Sequence, residues 1–105
     1  MLIHTVMLTF QDRAEGRGKL ENASIFRDEL KSLKSQVPDL LGIEVYLDEQ
    51  VSKGSADLIY STRHLDRAHL TQFLNHPAFL KISQLSQQLV ASSSVVDYNT
   101  GTFAG

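Results

Sequence analysis

The sequence predicts an α+β protein of the ferredoxin-like class, a βαββαβ protomer built as one domain. Four short stretches alternate apolar and polar residues, which is typical of strands, and two longer stretches repeat apolar residues every three or four positions, as amphipathic helices do. The helical stretches separate the first strand from the second and the third from the fourth. This order predicts a four-stranded antiparallel sheet with both helices on one face.

The first strand is predicted over residues 2–10, and its two faces differ in chemistry. His4, Val6, Leu8 and Phe10 share one face, which we expect to lie toward the helices. The opposite face also carries large apolar groups, so both faces should be covered in the assembled protein.

The first helix is predicted over residues 19–37, after a polar loop at 11–18 that contains two glycines. Pro38 ends the helix because a residue before proline is pushed out of the α region. The apolar stripe of this helix consists of Leu20, Ala23, Phe26, Leu30, Leu33 and Val37.

The second and third strands are predicted over residues 40–49 and 56–63. Leu58 and Tyr60 share one face of the third strand. The second helix is interrupted, with pieces at 65–74 and 77–89, and the last strand covers 94–99. The domain therefore spans 1–99 and is followed by a C-terminal tail at 100–105.

The break in the second helix lies at "NHPAF", residues 75–79. Pro77 suits the first position of a helix, where its missing N–H has no partner to lose. His76 is restricted by the proline that follows and is predicted to cap the second piece. We expect His64 and His69, at a strand end and a helix turn, to be solvated.

Composition excludes several functional classes. A formal net charge of −2 offers no attraction for nucleic acid or an anionic membrane, and there is no cysteine for disulfides or thiolate chemistry. No apolar run approaches the length of a membrane span, and the N-terminus lacks the features of a signal peptide. We expect a cytoplasmic protein without a cofactor; no spacing of His, Asp and Glu matches a zinc or calcium site.

Helices on one side of the sheet leave its other side bare. An apolar patch of this size on a monomer favours association, so we predict a homodimer in which two bare faces stack. The predicted interface residues are Ile3, Met7, Ile59, Val96 and Tyr98.

Several stretches in this order resemble the stress-responsive dimeric α/β barrel (Dabb) family. They are "IHTVMLTF", "VPDLLGIEV", "ADLIYST", "FLNHPAFLK" and "VVDY", and "HPAF" followed by "VVDY" is the most specific combination. The resemblance covers roughly residues 2–99. It implies a ferredoxin-like protomer and a dimer whose sheets close an α/β barrel, but it does not determine a function.

The resemblance also locates the candidate chemistry, because cyclase-like members of that family use two histidines in a pocket between sheet and helices. Here Leu58 and Phe79 stand at those two histidine positions, and Phe73 and Leu30 replace pocket tyrosines. Only His4 matches, so we expect this chain to lack the acid–base pair of a cyclase. Some family members hold a cation on backbone carbonyls, and the matching positions are Lys34, Val37 and Leu40.

Three functions stay open on this evidence. The first is binding of a small apolar or aromatic molecule, and the second is a cofactor-independent cyclase, lyase or oxygenase that uses His4 with Tyr60. The third is a purely structural or interaction dimer whose pocket is filled by its own side chains. The predicted pocket lining is His4, Leu8, Leu30, Leu58, Tyr60, Phe73, Phe79 and Ile82.

Overall fold

A computed structural model of the chain, which describes residues 1–101, contains a four-stranded antiparallel sheet with its helices on one side. This confirms the predicted ferredoxin-like α+β fold. The elements are β1 (Leu2–Phe10), β2 (Arg13–Ala14), β3 (Arg17–Gly18), α1 (Lys19–Gln36), β4 (Gly42–Leu47), β5 (Leu58–His64), α2 (Arg67–Leu74), α3 (Pro77–Leu89) and β6 (Val90–Asn99). Of the predicted tail at 100–105, residues 102–105 lie outside the described part.

The sheet has the order β4-β5-β1-β6, so β1 lies between the third long strand and the last one. His4 on β1 pairs with Thr62 of β5 on one side and with Asp97 of β6 on the other. Residues directly opposite in antiparallel strands project from the same face of the sheet. His4, Thr62 and Asp97 therefore share the helix-facing side.

Helix α1 covers the sheet with the stripe that its periodicity predicts, from Ala23 through Phe26 and Leu30 to Leu33. Leu20 is an exception to the prediction, because 60% of it is exposed. The first turn of α1 lies beside the β2–β3 hairpin, and it buries the polar Asn22 instead. The Asn22 side-chain amide donates to the carbonyl of Ala14 at 3.1 Å and so holds the hairpin to the helix.

The hairpin formed by β2 and β3 lies within the segment predicted as a loop. Its two turn residues, Glu15 and Gly16, have φ values of 54° and 77°. Two consecutive positive φ angles are what a two-residue type I′ hairpin turn requires. The pairing is too short to produce the alternating pattern from which strands are recognised.

The second helical region is divided as predicted, and His76 is confirmed as the cap of α3. The backbone N–H of Ala78 donates to His76 Nδ1 at 3.0 Å. Helix α2 begins at Arg67, two residues later than predicted, because Asp66 caps it by accepting from the N–H of His69 at 2.9 Å. Leu65 lies in the preceding turn and is exposed.

Strand β6 begins at Val90, four residues earlier than predicted. Ser92 and Ser93 pair with Thr9 and Leu8 of β1. Strand pairing depends on the backbone, so serines that carry no apolar pattern still take part in it. Within the described chain, no helix is both long enough and apolar enough to cross a bilayer.

Candidate functional site

A cavity of about 200 Å³ lies on the helix-facing side of the sheet, between α3 and the strands β1, β5 and β6, and we call it the His4 cavity. Its lining consists of His4, Val6, Leu8, Phe26, Tyr60, Phe79, Ile82, Ser83, Ser86, Ser93 and Val95. Six of these eleven residues are apolar, and the polar side chains are one histidine, one tyrosine and three serines. This composition is typical of small-molecule sites.

His4, one of the lining residues, makes a polar contact with Asp97. The Nδ1 atom of His4 lies 2.5 Å from Oδ1 of Asp97, because the register of β1 and β6 sets the two residues directly opposite each other. The His4 side chain is only 8% exposed, whereas that of Asp97 is 47% exposed. The carboxylate accepts the Nδ1 proton, which orients the ring and leaves its second nitrogen as the basic atom.

The second nitrogen of His4, Nε2, is open to the cavity. Within residues 1–101, no fully buried side-chain nitrogen or oxygen is without a hydrogen-bond partner, and Nε2 makes no hydrogen bond to the described chain. It therefore retains accessible surface in a residue that is otherwise buried. A lone pair on this atom can accept a hydrogen bond or a proton from a bound molecule.

Tyr60 provides a second polar group to the same cavity. Its ring meets that of His4 edge to face, with 6.3 Å between the centroids. Burial raises the pKa of the Tyr60 phenol above its usual value, so the hydroxyl stays neutral at physiological pH. Like Nε2 of His4, this hydroxyl has no hydrogen-bond partner in the described chain and retains access to the cavity. It can act as a donor to an oxygen of the ligand.

The structure brings together five of the eight residues predicted to line the pocket: His4, Leu8, Tyr60, Phe79 and Ile82. The remaining three do not line this cavity. Leu30 and Leu58 belong to the buried hydrophobic core, and Phe73 faces a different cavity. Periodicity identifies the face on which a residue lies, but it does not tell whether neighbouring side chains fill the space above it.

Sequence reasoning missed Asp97, Phe26 and the three serines as parts of the site. Asp97 was visible only as part of "VVDY", and its role depends on the pairing of the first and last strands, 93 positions apart. The ferredoxin-like order places these two strands side by side. A histidine on the first strand and a carboxylate on the last strand are therefore the signal that could have identified the pair.

A second cavity, of about 190 Å³, lies where the end of α1 approaches α2, and His64, His69 and His76 line it together with Phe73. The prediction that His64 is solvated is wrong, since the residue is 1% exposed and one ring nitrogen lies 2.8 Å from Oγ1 of Thr62. Burial, and to a lesser degree the nearby His4, lower the pKa of His64 to about 4. His69 is half-buried, and its hydrogen bond to Asp66 raises its pKa.

Neither cavity has a cluster of side chains suited to a metal. Among residues 1–101, no three His, Cys, Asp or Glu side chains are arranged to hold an ion. The cation site on the backbone of Lys34, Val37 and Leu40 stays a prediction. The carbonyl of Val37 already accepts from Leu40 N–H at 3.1 Å, while Pro38 deprives the Lys34 carbonyl of its usual helical donor.

The face of the sheet turned away from the helices carries the residues predicted for a dimer interface. The strand registers align Ile3 with Tyr98 and Met7 with Ile59 on this outer face. Met7, Ile59, Val96 and Tyr98 are exposed in the protomer, whereas Ile3 is covered by its own neighbours. Tyr46, which the prediction did not include, is exposed on the same face, opposite Ile59.

A family model described as "Stress responsive A/B Barrel Domain" matches residues 2–100 of this chain. No protein with a curated description matches the sequence.

Solved structures of low sequence identity share the fold. A dimeric ferredoxin-like protein of unknown function from Bacteroides fragilis has a TM-score of 0.80 and 18% identity, with 94% of this chain and 95% of that chain covered. A hydroxynitrile lyase from Passiflora edulis has a TM-score of 0.76 and 14% identity, with 98% of this chain and 96% of that chain covered. A putative antibiotic biosynthesis monooxygenase from Deinococcus radiodurans has a TM-score of 0.71 and 15% identity, with 100% of this chain and 97% of that chain covered.

Proposed function

Because this chain belongs to the stress responsive A/B barrel domain family, we propose that it forms a homodimer that binds a small apolar or aromatic molecule in the His4 cavity. The observation that carries the proposal is the Nε2 atom of the buried His4, which makes no hydrogen bond within residues 1–101 and faces a partly apolar cavity. Because Nε2 retains accessible surface, a ligand that donates to it gains a hydrogen bond as well as contact with the apolar part of the wall.

The size of the cavity limits the ligand to a small molecule. An apolar cavity of about 150 Å³ in another protein accommodates benzene. A space of about 200 Å³ thus has room for one aromatic ring with small substituents. Phe26 and Phe79 in the lining supply aromatic contacts for such a ring.

Binding of simple phenols tests this proposal. Val95 lies at the mouth of the cavity and is half exposed, so Val95→Trp should block entry at little cost to folding. Val51→Trp, at a loop position that is 84% exposed, is the matched control. In ligand-observed NMR, phenol and 4-methylphenol should bind saturably to the wild type and to the control, and not to Val95→Trp. Failure of both to bind the wild type would contradict the proposal.

A second candidate function is proton-transfer catalysis without a cofactor, and the His4–Asp97 pair favours it. A carboxylate on Nδ1 stabilises the imidazolium that forms when Nε2 takes a proton, and Tyr60 can donate to a developing oxygen anion. In this respect the site suits a lyase better than the two-histidine cyclase, because Phe79 at the cavity wall offers no basic atom. The fold shared with a hydroxynitrile lyase agrees with this choice.

Cleavage of a 2-hydroxynitrile illustrates the proposed step. His4 Nε2 takes the hydroxyl proton, the carbon–carbon bond to the nitrile breaks, a carbonyl forms, and cyanide leaves with the proton that His4 returns. Cyanide release from an aromatic 2-hydroxynitrile should therefore require His4. A wild-type rate no higher than that of His4→Ala would rule out His4 as the base.

The third alternative, a purely structural dimer, fits the structure less well. A pocket without a ligand function is expected to be filled by its own side chains, as close-packed interiors are. The His4 cavity instead leaves about 200 Å³ unfilled next to a buried imidazole. This void favours a binding role over a structural one.

A further inference from the structure

The His4 cavity has two polar ends with an apolar middle. His4 and Tyr60 form one polar group, and the hydroxyls of Ser83, Ser86 and Ser93 form another. The middle is lined by Val6, Phe26, Phe79 and Ile82. The chain direction of the surrounding elements shows how these groups are ordered.

Strand β1 and helix α3 end near each other, at the edge of the cavity remote from His4. The N–H of Gln11, just after β1, donates to the carbonyl of Leu89 at the end of α3, at 3.0 Å. From that contact toward the start of each element, the helix presents Ser86 first, then Ser83 and then Phe79. In the same direction the strand presents Leu8 first, then Val6 and then His4. Ser93 pairs with Leu8 and thus belongs to the same end as Ser86.

The two polar ends are separated along the direction of β1. The Cα atoms of His4 and Leu8 are four strand residues apart, which corresponds to about 13 Å. A molecule that reaches both ends therefore has to extend along the direction of β1 and carry one polar substituent at each end.

The serine hydroxyls of α3 differ from those of α1 in their hydrogen bonding. Ser32 and Ser35 on α1 each donate to a backbone carbonyl three residues earlier, at 2.7 and 3.0 Å. Ser83 and Ser86 make no such bond within residues 1–101, although both are half-buried on the cavity wall and lie three positions apart on one helix face. Their hydroxyls are free to bind a ligand.

We infer that the His4 cavity selects a single-ring aromatic molecule with oxygen-bearing substituents at opposite, para positions. One oxygen would bind at His4 and Tyr60, and the other would bind at Ser83 and Ser86. This inference rests on the proposed binding function and adds to it the substrate class. Two anchoring points also fix the direction in which the molecule lies, which a purely apolar pocket would not do.

A matched pair of ligands tests the inference. 4-Methylphenol has one polar end. 4-(Hydroxymethyl)phenol has nearly the same shape and carries a second polar end. For the wild type, isothermal titration calorimetry should give about fivefold tighter binding of the second ligand, the value of one good hydrogen bond. In the double variant Ser83→Ala/Ser86→Ala this ratio should fall to about one, while 4-methylphenol still binds.

The control is Ser35→Ala, which removes an exposed serine hydroxyl from α1 and should leave the ratio unchanged. A ratio that persists in the double variant overturns the inference while the binding function stands. If 4-methylphenol binds the wild type as tightly as 4-(hydroxymethyl)phenol, the inference is also overturned. If neither ligand binds the wild type, both the inference and the proposed function on which it rests are overturned.

Discussion

His4 and Asp97 stand directly opposite each other on adjacent antiparallel strands, and the imidazole Nδ1 lies 2.5 Å from the carboxylate. The pair joins the first strand of the chain to the last, and it holds a lining residue of the His4 cavity against a carboxylate. Its geometry makes one nitrogen of His4 a fixed donor and exposes the other to the cavity, which is the basis of the following prediction.

Replacement of Asp97 by Leu should release the His4 ring. We expect the imidazole of His4 no longer to favour the tautomer that is protonated at Nδ1. The free energy of unfolding should fall by about 1 kcal/mol or less, because Asp97 is half exposed and the contact is partly screened. Nitrogen-15 NMR of the imidazole and urea denaturation measure the two effects. Asp12→Leu, which removes a fully exposed carboxylate, is the control, and identical His4 spectra in both variants would contradict the assignment.

Stability should fall in acid because of His64. Its pKa is about 4 when folded, against an ordinary value near 6.5, so the unfolded chain binds the proton more readily between these values. The free energy of unfolding should therefore fall progressively between pH 6.5 and pH 4, by about 3 kcal/mol at most. His64→Gln cannot titrate, and guanidinium denaturation across this range should show a flatter curve for it. Parallel curves would mean that His64 is not protonated on unfolding.

The cap on α3 should contribute measurably to stability. His76→Ala removes the acceptor for the Ala78 N–H, and the loss of a helix cap costs about 1 kcal/mol. His76→Asn, which keeps a side-chain acceptor at the cap, should recover most of that loss. Thermal denaturation distinguishes these cases, and phenol binding in the His4 cavity should be the same in both variants. Equal destabilisation by Ala and Asn would show that the imidazole contributes through another contact.

Association should depend on the outer face of the sheet. A charge at Val96, which is 55% exposed there, would be buried on stacking of two sheets, so Val96→Asp should yield a monomer. Val51→Asp, in an exposed loop, should remain dimeric. Size-exclusion chromatography with light scattering at micromolar concentration measures both. A monomeric wild type would refute the homodimer.

Local patterns along the chain were sufficient to predict the fold and several details of it. The alternation in β1, the stripe of α1 and the His76–Pro77 break each arise from interactions within a few residues, and the structure confirms them. The segment at 11–18 and the serine-rich start of β6 were harder to interpret. Backbone hydrogen bonds form these elements, and such bonds leave little trace in side-chain composition.

The sequence by itself thus determined the class of fold, the helix-facing side of β1 and the identity of His4 as the best candidate in the pocket. Only the tertiary structure decided that Asp97 is its partner, that His64 is buried, and that Leu30, Leu58 and Phe73 lie outside the cavity lining. The reason is physical. Periodicity reports the direction of a side chain relative to its own element, whereas a site depends on strand register and on the space that packing leaves between elements.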